Sequence, residues 1–166
     1  MNHLLTAANL LGRNLFVVIC GAALLLLGPA CNTGESSAQG SSAEVREKIK
    51  PGADLRKEKL AGMDLKGASM ARVKLGKVNL AGTNLSGANL YQAGLMEANL
   101  TNADLSGANL YFADLRGAKL VGANLTKADL NGAKLYKAEV TGAACDAGTK
   151  LPKAYACTDG KITGGE

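Results

Sequence analysis

Apolar residues recur at every fifth position along the middle of this chain, from Leu55 to Val140, and nearly all of them are leucine. The position two residues earlier is usually alanine, and the other three are polar, glycine or variable. A period of five fits neither a helix, which repeats at 3.6, nor a strand, which alternates at two. In a helix these leucines would spread around the circumference and leave no buried face. The pattern therefore predicts a solenoid, in which each unit forms one short side of a coil and points its leucine and alanine inward.

The run GANLYQAGLMEANLTNADLSGANLYFADLRGAKLVGANLTKADLNGAKL resembles the pentapeptide-repeat family, whose unit is Ala-(Asp/Asn)-Leu-x-x. The resemblance covers about nineteen successive units, which we assign to a repeat domain at residues 53–147. It implies an all-β fold, a right-handed quadrilateral β-helix with four pentapeptides per coil and leucines stacked along the axis. It implies much less about function.

Residues 41–52 are predicted to form a short N-terminal helical cap. Ser41 and Glu44 have the spacing of a capping box, and Val45 with Ile49 gives a small apolar stripe. An uncovered solenoid end would expose unpaired backbone groups, so a helix over the first coil has a structural purpose.

Residues 148–166 are predicted to form a C-terminal cap. They resemble a tail that often follows pentapeptide arrays, here Thr149, Leu151, Pro152, Tyr155, Cys157, Gly160 and Ile162. Cys157 and Cys145 can form a disulfide in an oxidising compartment, worth up to roughly 3 kcal/mol. The alternative is that Cys145 fills a core leucine slot and Cys157 is a buried thiol.

Residues 1–30 have the features of a secretory signal: a basic residue at Arg13, an apolar run at 14–27 and small residues before Cys31. The apolar run is shorter than the ~20 residues that a spanning helix needs. Cys31 resembles the acylated cysteine of bacterial lipoproteins, although Gly28 stands where that family prefers an aliphatic residue. Cys20 is a worse candidate because Ile19 is too large for the cleavage site.

This resemblance implies a membrane partner through a lipid anchor on Cys31, followed by a flexible tether at residues 31–40. It places the protein in the bacterial cell envelope. The outer membrane, with the domain facing the periplasm, is favoured because Asn32 is not the aspartate that retains lipoproteins at the inner membrane. Ordinary cleavage after Ala30 would instead give a soluble secreted or periplasmic protein, and an uncleaved anchor is the third alternative.

Aromatic residues are few, yet Tyr91 and Tyr111 are twenty residues apart and Phe112 is adjacent. In a coil of four pentapeptides they fall on one face. One interpretation is an aromatic ladder that stabilises its own strands. The other is a docking patch for a partner or a second copy.

Catalysis is not expected. The only histidine, His3, lies in the predicted signal, and the chain has no phosphate-binding loop, Cys/His metal spacing or nucleophile elbow. The sequence thus predicts a non-enzymatic scaffold without cofactor or metal, whose partner is an envelope protein or itself and not nucleic acid. The alternative is a DNA-mimicking, topoisomerase-interacting member of the family. Such mimicry needs an acidic cylinder, whereas losing Arg13 with the signal leaves eighteen cations against fourteen acids, a net charge of +4.

Overall fold

Regular secondary structure is sparse between residues 42 and 165, the part of the chain that this computed structural model describes. One helix, α1, spans Ser42–Lys48. Two strands, β1 (Tyr155–Thr158) and β2 (Lys161–Gly164), form an antiparallel hairpin. Between helix and hairpin, single-residue β-bridges alternate with turns every five residues. The predicted signal, the tether and Cys31 lie outside the described residues.

The bridges stack the chain in parallel with a period of twenty residues. Ser69 pairs with Asn89, and Asn89 pairs with Asn109. Backbone hydrogen bonds keep the same register: the Leu90 N–H donates to the Asn109 carbonyl at 2.8 Å, and the Asn109 N–H donates to the Ala88 carbonyl at 3.0 Å. One coil therefore contains four pentapeptides. The predicted solenoid is confirmed, and its ladders consist of single bridges because each side of the coil is only one unit long.

The core is the interior of the coils. The leucine of each unit between Leu55 and Leu135, replaced by Met70 in one unit, is buried, and so is the residue two positions earlier in almost every unit from Val73 onward. Full burial of a leucine side chain contributes roughly 1.5–3 kcal/mol, so the array stabilises itself through one continuous column. Thr83 is the one buried polar side chain of the described core, and its hydroxyl donates to the Leu60 carbonyl at 2.8 Å.

Each corner is a tight turn, and its third residue has a positive φ in every turn of the repeat except the one after Leu55. In the unit of Leu105, the carbonyl of that leucine accepts the N–H of Ala108 at 3.0 Å, and Gly107 between them has φ of 63°. A positive φ at this place is the feature of a type II turn and favours glycine. Eight units nevertheless carry a side chain there: Arg72, Lys77, Gln92, Glu97, Asn102, Phe112, Lys127 and Lys137.

Helix α1 precedes the first coil. Val45 is 4% exposed and belongs to the same hydrophobic cluster as the core leucines, and Ile49 packs against that cluster. The repeat type of turn begins at Lys50, three residues before the predicted boundary at 53, because the Ala53 N–H donates to the Lys50 carbonyl at 3.0 Å. Helix α1 is thus shorter than the segment 41–52 that the sequence assigned to a helical cap.

The register changes by one residue at the other end. Asp129 pairs with Lys150, which is twenty-one residues later, so the coil continues three residues past the predicted boundary at 147. The hairpin then adds to the last coil, with Ala144 paired antiparallel to Lys161. The Cys145 N–H donates to the Gly160 carbonyl at 2.9 Å. These bonds occupy backbone groups that the last coil would otherwise leave open.

Candidate functional surface

The three aromatic residues that the sequence singled out form one contiguous cluster at a corner of the solenoid. The rings of Tyr91 and Tyr111 stack one coil apart, with centroids at 6.1 Å and planes 7° apart. Phe112 meets Tyr111 edge to face, with centroids at 4.4 Å and planes at 70°. We call the corner of the solenoid that carries this cluster the first corner. Its role as a docking patch stays a prediction.

Phe112 is held outward by its place in the turn. Its φ is 57°, and its ring lies over Gly132 in the next coil. A methyl group at Gly132 would collide with the ring, so the absence of a side chain there makes room for it. Tyr111 and Phe112 thus lie in neighbouring columns of the same corner.

A second corner, formed by Met96, Arg116 and Tyr136, follows five residues later in each coil. Its members stack with the same period, since the Glu97 N–H donates to the Arg116 carbonyl at 2.9 Å. The ammonium of Lys137 lies 5.2 Å from the centroid of the Tyr136 ring. The predicted patch did not include this corner. The five-residue spacing from Tyr91 to Met96 and from Tyr111 to Arg116 is the signal that places the two corners next to each other.

One side of the solenoid connects these corners, and its central column is Asp54, Lys74, Gly94, Asp114 and Lys134. We call this side, with its two corners, the aromatic side. Among the described residues, the exposed large hydrophobic side chains all lie on its corners: Met96 at 37%, Tyr111 at 37%, Phe112 at 49% and Tyr136 at 60%. Exposed apolar surface collected in one place is typical of a contact surface.

The carboxylates of this side are tied into ion pairs. Arg116 Nη2 lies 2.7 Å from Asp114 Oδ2, and this guanidinium holds the pKa of the Asp114 carboxyl below its usual value. Arg56 lowers the pKa of Asp54 in the same way. A carboxylate stabilised in its ionised form is a poor general acid or base at neutral pH.

Asp and Asn side chains before the core leucines shape the turns. The Asp104 Oδ1 accepts the Ser106 N–H at 3.0 Å and the Asn124 side-chain amide at 3.1 Å. Asn84 and Asn99 bond the residue two positions later in the same way. This is the turn interaction expected of Asx residues, and it gives these repeated carboxylates and amides a structural role.

Cys145 and Cys157 are joined by a disulfide, with a Cα–Cα distance of 5.9 Å. Cys145 is buried in the last coil, and Cys157 lies in β1, so the bond connects the hairpin to the array. Beside it, the buried Ile162 belongs to the core cluster, and Leu151 and Tyr155 pack against that cluster. The Tyr155 hydroxyl donates to the Leu135 carbonyl at 3.0 Å, and burial raises the pKa of this phenol.

Residues 42–165 contain no group of His, Cys, Asp and Glu side chains placed to hold a metal ion. Within the same range, no helix has the length and apolar character needed to cross a bilayer. A cleft of about 220 Å³ lies beside α1 and the first coil and is lined by Arg46, Ile49, Leu65, Lys66, Ala68 and Ser69.

Comparison with known proteins identifies the repeat. The family model for pentapeptide repeats matches eight copies over residues 52–86, 74–110 and 108–143. Among curated proteins, no significant match was found.

Solved structures give the same result. HetL, a pentapeptide repeat protein involved in heterocyst differentiation regulation in Nostoc sp. strain PCC 7120, is 38% identical with a TM-score of 0.54, over 58% of this chain and 46% of its own. A pentapeptide repeat protein of the cyanobacterium Cyanothece 51142 is 35% identical with a TM-score of 0.53, over 53% and 60%. One from the thylakoid lumen of Arabidopsis thaliana is 31% identical with a TM-score of 0.51, over 61% and 68%. This chain thus spans about half the length of the first two proteins.

These relatives imply a right-handed β-helix, and pentapeptide-repeat proteins are generally non-catalytic. The repeat pattern, the twenty-residue register and the family match agree over more than half of the sequence. The chain belongs to the pentapeptide-repeat family.

Proposed function

We propose that this protein is a non-enzymatic scaffold of the bacterial cell envelope, tethered to a membrane by a lipid on Cys31. The observation that carries the proposal is the bond between Cys145 and Cys157. Disulfides persist in oxidising compartments and are rare in the cytoplasm, so this disulfide favours an exported protein. The signal-like sequence before Cys31 independently supports export to the cell envelope.

The solenoid suits a rigid scaffold that contacts another envelope component or a second copy. In this proposal α1 closes the first coil through the buried Val45, and the hairpin closes the last coil through Ile162. With both ends covered, the sides of the solenoid are the surfaces left for contacts. The aromatic side is the one on which exposed apolar side chains collect.

For its location we propose the outer membrane, with the domain in the periplasm, as Asn32 suggests. Release after an ordinary cleavage at Ala30 would give the same domain in soluble form. The two forms differ in the mass of the mature N-terminus.

A DNA-mimicking function is less well supported. A plasmid-mediated fluoroquinolone resistance protein matches with 17% identity and a TM-score of 0.51, which is a likeness of fold alone. Residues 53–147 carry twelve Lys and Arg against nine Asp and Glu. A net positive cylinder does not reproduce the charge of DNA, whose phosphates are negative throughout.

Intact-mass measurement of the protein purified from the membranes of its host tests the proposal. We expect the mass of residues 31–166 plus acyl chains, with two hydrogen atoms gained on reduction. A Cys31→Ser variant should lose the acyl mass and the membrane fraction while keeping the disulfide. An unprocessed, unlipidated protein in the soluble cytoplasm would overturn the proposal.

A further inference from the structure

Positive charge is concentrated on the aromatic side. Of the twelve Lys and Arg residues between 53 and 147, eight lie on this side and its corners, together with three of the nine acids. The aromatic side thus has a net charge of +5. The rest of the array has four cations against six acids, a net charge of −2. The array is therefore strongly polarised across its axis.

The three acids of the aromatic side are each next to a cation of the same side. The pairs are Asp54 with Arg56, Glu97 with Lys77 and Asp114 with Arg116. The excess of five then corresponds to the remaining cations of this side: Lys57, Arg72, Lys74, Lys134 and Lys137. Arg72 donates to the neutral amide oxygen of Gln92 at 3.1 Å, which leaves its charge uncompensated there.

Both corners carry aromatic and basic groups. Tyr136 is the most exposed of the large apolar side chains and has the Lys137 ammonium 5.2 Å from its ring centroid. On the first corner, Phe112 follows Gln92 and Arg72 in one column. An aromatic ladder accounts for the stacking of Tyr91 on Tyr111, but it does not account for Tyr136 on the other corner.

We infer that the aromatic side lies on the surface of a bilayer that contains anionic lipids; this inference rests on the proposed envelope function. Tyrosine and other amphipathic rings favour the head-group level of a membrane, and Lys and Arg are attracted to acidic head groups. The two corners are parallel columns one side of the coil apart, and the column between them presents Lys74 and Lys134. A planar surface can contact both columns at once, and the cleft beside α1 lies outside them.

The geometry supplies a matched pair of reporter positions. Tyr111 and Val121 are ten residues apart in one coil, which is half a turn, so they occupy opposite corners and the same place in their units. The chain contains no tryptophan. Tyr111→Trp and Val121→Trp therefore each introduce a single fluorescent indole, one on the aromatic side and one facing away from it.

The experiment uses the lipid-anchored protein, residues 31–166, purified from host membranes and reconstituted into vesicles with brominated acyl chains, made of phosphatidylcholine with or without phosphatidylglycerol. We expect quenching and a blue shift of the indole in Tyr111→Trp and not in Val121→Trp, only in the anionic vesicles. High salt should abolish the difference because it screens the attraction. Tyr136→Trp gives a second reporter on the other corner if Tyr111→Trp does not fold.

Charge reversal tests the cause of the orientation. Lys74→Glu with Lys134→Glu removes two cations from the centre of the aromatic side. Each cation near an anionic surface is worth about a fivefold change, so the ratio of docked to undocked protein should fall at least about 25-fold. Lys66→Glu with Lys119→Glu makes the same change in net charge outside this side and should leave the quenching intact.

Equal quenching at positions 111 and 121 would overturn the inference, because docking would then have no preferred side. Absence of quenching at position 111 in vesicle-bound protein would also overturn it and would assign the excess charge to a soluble acidic partner. Failure of the envelope function would appear separately, as an unprocessed mass in the cytoplasm.

Discussion

The Asp146 side chain takes the place of a backbone carbonyl for Lys127. At most other corners of the array the N–H of the third turn residue donates to a carbonyl nineteen residues later, as Gly107 does to Thr126 at 2.8 Å. The Lys127 N–H instead donates to the Asp146 Oδ1 at 2.8 Å. This substitution coincides with the one-residue shift in register, because the chain after Cys145 needs one more residue to reach Lys150. The Asp146 carboxylate thus accepts the Lys127 N–H, which the shift in register would otherwise leave without its backbone acceptor.

Asp146→Ala should lower the melting temperature, whereas Asp146→Asn should lower it less because it keeps an oxygen acceptor. The hydrogen bond from Lys127 is the main cause that lowers the pKa of the Asp146 carboxyl in the folded state. Its contribution is therefore fully present above the unfolded pKa of about 3.9 and is lost as the pH falls through the lower folded pKa. Thermal unfolding of wild type and Asp146→Ala should converge as the pH falls below about 4. A constant difference down to pH 2 would contradict this role.

Asp104→Asn is the matched control for the loss of charge. Asp104 also bonds a turn N–H through Oδ1, but Asn occupies the equivalent position in neighbouring units. We expect its melting temperature to stay close to that of wild type at neutral pH.

Removing the disulfide should destabilise the C-terminal end. The bond closes a loop with a sequence separation of 12, for which chain entropy gives up to roughly 3 kcal/mol. Cys157→Ala is the clean variant because Cys157 is exposed and leaves no cavity. Denaturant unfolding should show the loss, and reductant should shift the wild type and leave Cys157→Ala unchanged. A further shift of the variant by reductant would mean that the effect has another origin.

Gly107→Ala should cost about 1–2 kcal/mol through backbone conformation alone. Gly107 has φ of 63°, and a methyl group added there would have nothing within 4 Å, so no clash contributes. Gly76→Ala is the control: its φ is not positive, and a Cβ there would make ordinary contact with the Met96 carbonyl at 3.6 Å. That variant should be neutral or stabilised by about 0.5 kcal/mol, because alanine restricts the unfolded chain. Equal effects of the two substitutions on the free energy of unfolding would contradict the turn assignment.

Tyr111→Ser separates the structural from the docking interpretation of the aromatic residues. Tyr111 contacts two rings, and each aromatic pair is worth about 0.5–1.5 kcal/mol, so we expect a loss of about 1–2 kcal/mol. Tyr136→Ser should change stability by less than about 0.5 kcal/mol, since Tyr136 is 60% exposed. If both variants lose the membrane orientation, the loss in Tyr136→Ser cannot be explained by reduced stability, because that variant is expected to fold normally. A large destabilisation by Tyr136→Ser would mean that the second corner is structural.

The sequence by itself determined the solenoid and its core. The inward positions are set within each pentapeptide, as they are for Leu90 and Ala88. They could therefore be predicted without knowing which residues lie in the neighbouring coils. The twenty-residue period, which came from the family resemblance, also placed Tyr91 above Tyr111 correctly. Burial of a repeated apolar column is a local property, and local properties can be recognised from sequence.

Only the tertiary structure decided the ends and the combined surface. Asp146 could be recognised as a hydrogen-bond acceptor only once Lys127, nineteen residues away, was seen to present an N–H to it. The antiparallel pairing of Ala144 with Lys161 depends in the same way on which backbone groups the last coil leaves open. The five-residue spacing places the two corners of the aromatic side next to each other, but the exposure of Phe112 and Tyr136 was decided by the packing of the coils. These features depend on contacts between units rather than on the unit itself, which is why the repeat could be predicted and they could not.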